Sequence, residues 1–229
     1  MSRVVCVVGM HRSGTSCLAG TLEEAGLHLG NVITEAPHNV KGNRENKRIM
    51  DLQEAILVHS GGSWEAVPAR LSWTDAHRAE RDAIIASYSG REFGFKDPRT
   101  LVTLPFWREV LPELDFVGTF RHPRLVAESL LRRNGGEASK WLDLWAAYNE
   151  RLLALHAEAP FPIVRFDVEE GRYRQSLEAV TARLGLPAPA ALRFFEPTLR
   201  HHHRTPELDG DVTDARVTAL YERLCALAV

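Results

Sequence analysis

The run Val4-Val5-Cys6-Val7-Val8-Gly9-Met10-His11-Arg12-Ser13-Gly14-Thr15-Ser16 sets the architecture. Its first five residues are apolar and mostly β-branched, which reads as a strand buried on both faces and ended by glycine. Thr15 to Ala25 continues as a helix. The glycines let the backbone turn tightly, so successive N–H groups and the helix N-terminus face one anion. Thr15 and Ser16 add hydroxyl donors, and Arg12 adds a fixed, forked positive charge. The alternative is a glycine-rich turn that holds nothing.

The G-x-x-x-x-G spacing resembles a Walker A phosphate loop, but Thr15 stands where the NTPase lysine belongs. Beyond the loop, short apolar runs alternate with longer amphipathic stretches. Strands are expected at Phe93–Phe95, Phe116–Phe120 and Ile163–Phe166. Helices are expected from about Asn43 to Gly61, Thr74 to Ser87, Leu101 to Val110, from Pro123 onward, and over Ala138–Ala159. The remainder reads as helical, with proline joints at Pro187 and Pro189. Such alternation predicts an α/β fold with a mostly parallel sheet covered by helices on both faces.

Composition narrows the class. At about 150 residues per domain, 229 residues are nearer one domain than two, so a single domain over 1–229 is expected. Hydrophobic residues make up 45% and charged residues 25%, which argues against disorder. With 28 Lys+Arg against 30 Asp+Glu, the net charge of −2 provides no global field for nucleic acid. An anion must therefore meet locally placed cations. No apolar run approaches the ~18 residues of a membrane span, and Val4–Val8 is too brief for a signal peptide. Three cysteines, Cys6, Cys17 and Cys225, give neither a disulfide framework nor metal-ligand spacing, so a reduced, cytoplasmic protein without a metal is expected.

Two further clusters carry charge at strand ends. Arg121-His122-Pro123 follows the strand Phe116–Phe120, and Ser129 lies about two turns into the next helix, so Arg121 and Ser129 can meet one phosphate. Alternatively, Arg121 belongs to a surface ion pair. Lys96-Asp97-Pro98-Arg99 follows Phe95; Lys96 and Arg99 can reach the space above the first loop, and Asp97 can orient one of them. Here the alternative is a solvated charged loop.

Together these segments resemble the sulfotransferases that use 3′-phosphoadenosine 5′-phosphosulfate (PAPS). Arg12-Ser13-Gly14-Thr15-Ser16 is similar to their 5′-phosphosulfate loop, and Arg121 with Ser129 to the pair that holds the donor's 3′-phosphate. Lys96-Asp97-Pro98 resembles a segment of tyrosylprotein sulfotransferases, whose loop also carries Arg where cytosolic members carry Lys. Val164-Arg165-Phe166-Asp167-Val168-Glu169, with the helix Leu177–Leu186 after it, looks like the strand whose aromatic residue contacts adenine. Lys41-Gly42-Asn43-Arg44-Glu45-Asn46 and the segment near Leu199–His203 are similar to compact bacterial members. The resemblance implies a P-loop-like fold and PAPS as co-substrate. It also implies a small-molecule or peptidyl acceptor, and donor binding by His11, Arg12, Ser13, Gly14, Thr15, Ser16, Arg121, Ser129 and Phe166.

Sulfuryl transfer needs positioning and charge stabilisation rather than a metal-cradled triphosphate, which fits the missing loop lysine. On this reading Arg12 and Lys96 neutralise the leaving oxygen. Glu45, at the start of a helix whose positive end favours its ionised form, is the favoured general base, with Glu35, His38 and Asp97 in reserve. The C-terminal Arg-Lys-Gly triplet of cytosolic members is absent, leaving Arg200 or Arg204 to substitute. Trp141, Trp145 and Tyr148 form a core stripe, while Trp64, Trp73 and Trp107 either line an acceptor pocket or pack. His201-His202-His203 lacks metal spacing, and Lys47-Arg48 and Arg132-Arg133 read most simply as solvated faces, with contact to an anionic acceptor as the alternative. The rival readings are an ATP- and Mg²⁺-dependent P-loop kinase and a non-catalytic nucleotide-binding module.

Overall fold

The computed structural model describes residues 3–37, 39, 41–88, 92–188, 194–195 and 214–229. Val4–Val8 form β1, and α1 (Thr15–Glu24) follows the loop. Next come α2 (Lys47–His59), α3 (Asp75–Ser87), β2 (Phe93–Lys96) and α4 (Thr100–Arg108). Then β3 (Asp115–Phe120), α5 (Pro123–Asn134), α6 (Ala138–Glu158), β4 (Ile163–Arg165), α7 (Glu170–Leu184) and α8 (Ala215–Leu227) complete the described elements.

The four strands pair in parallel in the order β2-β1-β3-β4. Alternate side chains of β1 enter opposite cores, as a pleated strand requires. Val5 and Val7 pack with Leu18 and Leu22 of α1 and Leu177 and Val180 of α7. Val4, Cys6 and Val8 face the larger core, which α2 to α6 and α8 cover. Trp141, Trp145 and Tyr148 are buried there, so the stripe on α6 is core.

Element starts follow local chemistry. Pro123 opens α5, where its missing N–H leaves no bond unmade. Thr74 and His77 form a reciprocal cap on α3. The structure corrects one expected boundary: α2 begins at Lys47, capped by the Asn46 side chain accepting from the Arg48 N–H at 3.0 Å. Before it, the backbone is occupied by bonds to Ile33, from Ile33 N–H to Glu45 O at 2.9 Å and from Arg44 N–H to Ile33 O at 3.1 Å. Gly42 allows this loop. Its φ is +75°, and a Cβ there would lie 2.3 Å from the Ile33 carbonyl oxygen.

The chain runs from β1 to β2 on one side and returns to β3 on the other. The strand order thus reverses at β1, and ligands in open α/β sheets bind outside the carboxyl ends at such a point. Among the described residues, no helix is long and apolar enough to cross a membrane. Cys6 is buried, and Cys17 and Cys225 are partly buried.

Candidate active site

All four strands deliver residues to one cavity at their carboxyl ends. β1 leads into the loop of His11 to Ser16, β2 ends on Lys96, β3 is followed by Arg121, and β4 by Phe166. The register opposes Val7 to Lys96 and Val8 to Gly118, so β2 ends one residue short of the end of β1 and β3 runs two residues past it. The cavity is about 890 Å³, near the upper end of the range for small-molecule sites.

The loop is held from three sides. Thr119 Oγ1 donates to the Ser13 carbonyl at 3.0 Å, and Arg121 donates to the Arg12 carbonyl at 3.4 Å. Arg12 itself sits at φ +66°, an unusual conformation for a residue with a Cβ. Its Nε donates to Ser129 Oγ at 2.8 Å, which joins the loop to α5. Gly14, the N-cap of α1, has φ +87°, and a Cβ there would fall 2.3 Å from the Phe166 ring. The Arg121 guanidinium stands 5.6 Å from the centre of that ring. Hence Arg12, Gly14, Thr15, Ser16, Arg121, Ser129 and Phe166 share one cavity, as the sequence predicts. Ser13 is buried beneath the loop and does not line it.

Lys96 and Glu45 form a buried pair at the centre. Lys96 Nζ donates to Glu45 Oε1 at 2.6 Å and approaches Ser16 Oγ at 3.4 Å. The expected setting of Glu45 is revised here. It precedes the Asn46 cap rather than belonging to the first turn of α2, and its nearest cation is Lys96. Asp97 is fully buried behind them and accepts the Arg99 N–H at 2.9 Å. Burial pushes its carboxyl up to about 7; Arg99 opposes that shift and Glu45 adds to it. Glu35 is exposed and lies outside the cavity lining. His38, Arg200, Arg204 and the Leu199–His203 segment lie outside the described residues.

Beyond Glu45 the cavity reaches residues that sequence reasoning had set aside or missed. His11 stacks on Trp64 with ring centres 4.4 Å apart. Burial, then the charges of Arg99, Arg133, Lys96 and Arg12, hold its imidazole well below the usual range, so it is neutral at pH 7. Its buried Nε2 makes no hydrogen bond among the described residues. Arg133 is half-buried, with its guanidinium 5.2 Å from the Trp64 ring centre. Arg132, which is exposed, and the half-buried Arg133 both line the cavity, so this face is solvated and also reaches the site. Met50, Pro98 and Arg99 complete this end. The only sequence signal for Arg133 was its spacing, one helical turn beyond Ser129. Trp107 belongs to the core, and Trp73 donates to Glu109 at 3.0 Å outside the cavity. Lys47 and Arg48 are exposed and pair with Asp51 and Glu80. Among the described residues, no group of three metal-ligating side chains occurs.

No protein-family model matches the chain, and no curated protein sequence matches it. Solved structures do. The sulfotransferase domain of the Synechococcus PCC 7002 olefin synthase aligns with a TM-score of 0.60 at 17% identity, covering 98% of this chain and 96% of that one. Sulfotransferase STF1 from Mycobacterium tuberculosis H37Rv aligns with a TM-score of 0.57 at 17% identity, covering 99% of this chain and 77% of that one. The protein therefore shares the α/β fold of these sulfotransferases.

Proposed function

We propose that the protein is a sulfotransferase, and that residues 1–229 act as one catalytic domain using PAPS as donor and a hydroxyl or amine as acceptor. The observation that carries this reading is the meeting of Arg121 and Ser129 with the Gly9–Ser16 loop in one cavity. Two cationic points with a turn of backbone amides between them suit a nucleotide phosphorylated at both ends. The likeness of fold to two sulfotransferases supports the same chemistry. An odd number of cysteines, three, gives no disulfide framework and suits a reducing compartment, and we assign the protein to the cytoplasm.

In this reading Arg121 and Ser129 take the 3′-phosphate, the amides and side chains from His11 to Ser16 take the 5′-phosphosulfate, and Phe166 contacts adenine. A nucleotide lacking the 3′-phosphate would forgo the charge-assisted bonds that Arg121 and Ser129 offer, which disfavours it. The acceptor oxygen forms a bond to sulfur while the bond from sulfur to the 5′-phosphate oxygen breaks. The electron pair leaves with that oxygen, giving adenosine 3′,5′-bisphosphate. Lys96 and Arg12 offset its developing charge; removal of one such donor commonly costs about 10²–10³ in rate. Glu45 takes the acceptor's proton. Lys96 engages Oε1, and no hydrogen bond to Oε2 is present among the described residues, so Oε2 is the basic atom.

The test is ligand stabilisation followed by turnover. Adenosine 3′,5′-bisphosphate should raise the melting temperature without magnesium, because a ligand of the folded state stabilises it by mass action. PAPS should then lose its sulfate to a member of a hydroxyl and amine panel. A strong response to ATP–Mg²⁺ with none to the bisphosphate would favour a kinase. Stabilisation without desulfation in any acceptor's presence would favour a binding module.

A further inference from the structure

The charge around the cavity exceeds what the proposed donor needs. Seven cationic side chains and one carboxylate line it among the described residues. PAPS brings roughly four negative charges, counting its 3′-phosphate as nearly doubly ionised. Of the cationic side chains, Arg121 stands beside Phe166 and Arg12 beside Ser129, whereas Arg133 stands beside Trp64.

There Arg133 is half-buried without a carboxylate within ion-pair distance among the described residues. Its Nε donates to Asn134 Oδ1 at 2.6 Å, and its two terminal nitrogens make no hydrogen bond among those residues. Arg99 is 7% exposed; among the described residues its ion-pair contacts are Asp97 at 3.4 Å and Glu54 at 3.7 Å, and its Nε makes no hydrogen bond. Both side chains line the same cavity as His11 and Trp64. Glu65 and Glu45 act on Arg133 only from a distance, so its half-buried guanidinium keeps room for an anion that arrives with a ligand. The surface beside it is the Trp64 face and the Met50 side chain, which suit an apolar or aromatic body.

We propose that the acceptor is an anionic hydroxyl compound, its carboxylate or phosphate paired with Arg133 and Arg99 and its apolar body laid against Trp64. This rests on the sulfotransferase reading, since it assigns the acceptor half of the same cavity. The α5 helix supports the division of labour. Ser129 serves the donor, and Arg133, four residues on, stands about 6 Å further along the axis toward Trp64. A neutral alcohol would leave the terminal nitrogens of Arg133 and the buried Nε of Arg99 without an added acceptor, so discrimination follows from what an uncharged acceptor fails to satisfy.

The experiment is calorimetric titration of matched pairs into the full-length protein, with and without saturating adenosine 3′,5′-bisphosphate. The probes are 4-hydroxyphenylacetate against 4-hydroxyphenylethanol, and 4-hydroxybenzylphosphonate against 4-hydroxybenzyl alcohol. In the bisphosphate-bound protein the anionic member of each pair should bind at least about tenfold more tightly, as charge-assisted hydrogen bonds imply. Arg133→Gln should abolish most of that preference while leaving bisphosphate affinity within about twofold, and Arg133→Lys should restore part of it. Equal affinity within each pair, absence of binding by either member included, overturns the proposal. So does a preference that survives Arg133→Gln. Failure of the bisphosphate to bind, with the Arg133-dependent preference intact in the protein alone, overturns the donor reading and leaves the anion site standing.

Discussion

At the Phe166 end of the cavity, Arg12 and Arg121 sit on turns that directly follow β1 and β3, and the sheet register fixes their spacing. At the Trp64 end, Arg99 caps α4 and Arg133 lies in the last turn of α5, while Trp64 belongs to the connection between α2 and α3. The first set is held by parallel strand pairing and backbone-directed bonds, Thr119 to Ser13 and Arg121 to Arg12. The second is held by contacts between side chains and loops, such as Tyr148 Oη donating to the Trp64 carbonyl at 3.1 Å and Asn134 donating to Glu65 at 2.9 Å. A donor end built on the sheet beside an acceptor end built on helices and a loop suits the proposed enzyme, whose donor is fixed and whose acceptor is its own specialisation.

The largest expected effect separates chemistry from binding at the junction of the two ends. Glu45→Gln should reduce turnover by about 10²–10⁴ while leaving adenosine 3′,5′-bisphosphate affinity unchanged. Normal turnover would move the base to Asp97 or His38. A parallel loss of bisphosphate affinity would place Glu45 in the donor end instead. Lys96→Ala probes the same junction through stability. It leaves a carboxylate that is 6% exposed without its 2.6 Å partner, so a loss of about 3–5 kcal/mol is expected in urea unfolding. The Lys96→Met, Glu45→Gln double variant should recover most of it, because no unpaired charge then remains buried.

Arg121→Ala tests the donor end alone. Loss of one charge-assisted contact should weaken adenosine 3′,5′-bisphosphate by roughly 10–100-fold and AMP far less, read by calorimetry. Equal weakening of both nucleotides would remove Arg121 from the 3′-phosphate and dissolve the proposed division.

The same contrast explains what could be read from sequence. Gly9 to Ser16, Lys96, Arg121 and Ser129 are legible because a strand end fixes where a side chain emerges, and the apolar runs mark the strand ends. Phe166 follows a strand for the same reason. Arg133 and Trp64 were set aside because a charge on a helix or an aromatic in a loop acquires its role only through packing partners far away in sequence. Glu45 was chosen correctly as a cavity residue, yet for an incomplete reason. The Ile33 contacts that delay α2 until Lys47 come from backbone bonds that no periodicity reports.

Asp97 offers the smallest effect and the sharpest check on which carboxylate acts. It is fully buried, its Oδ2 lacks a hydrogen bond among the described residues, and burial holds its pKa up to about 7. An unfolded aspartate titrates near 3.9, so between about pH 4 and 7 the folded state binds the extra proton. Its contribution to stability is therefore full below pH 4 and is lost as pH rises toward 7. His11 acts in the opposite sense, since its lowered pKa costs stability as pH falls through about 6.5, and it does so equally in wild type and variant. Subtracting the two unfolding curves isolates Asp97. Asp97→Asn keeps the Oδ1 acceptor for the Arg99 N–H, so the variant should gain on wild type by about 1 kcal/mol or more between pH 5 and pH 8, roughly 2–4 °C in Tm per kcal/mol. Its turnover should stay near that of wild type. Parallel curves would show that Asp97 is ionised in the folded state throughout, and a collapse of turnover would transfer the proton from Glu45 to Asp97, setting the base behind Lys96 rather than at the entrance to the acceptor end.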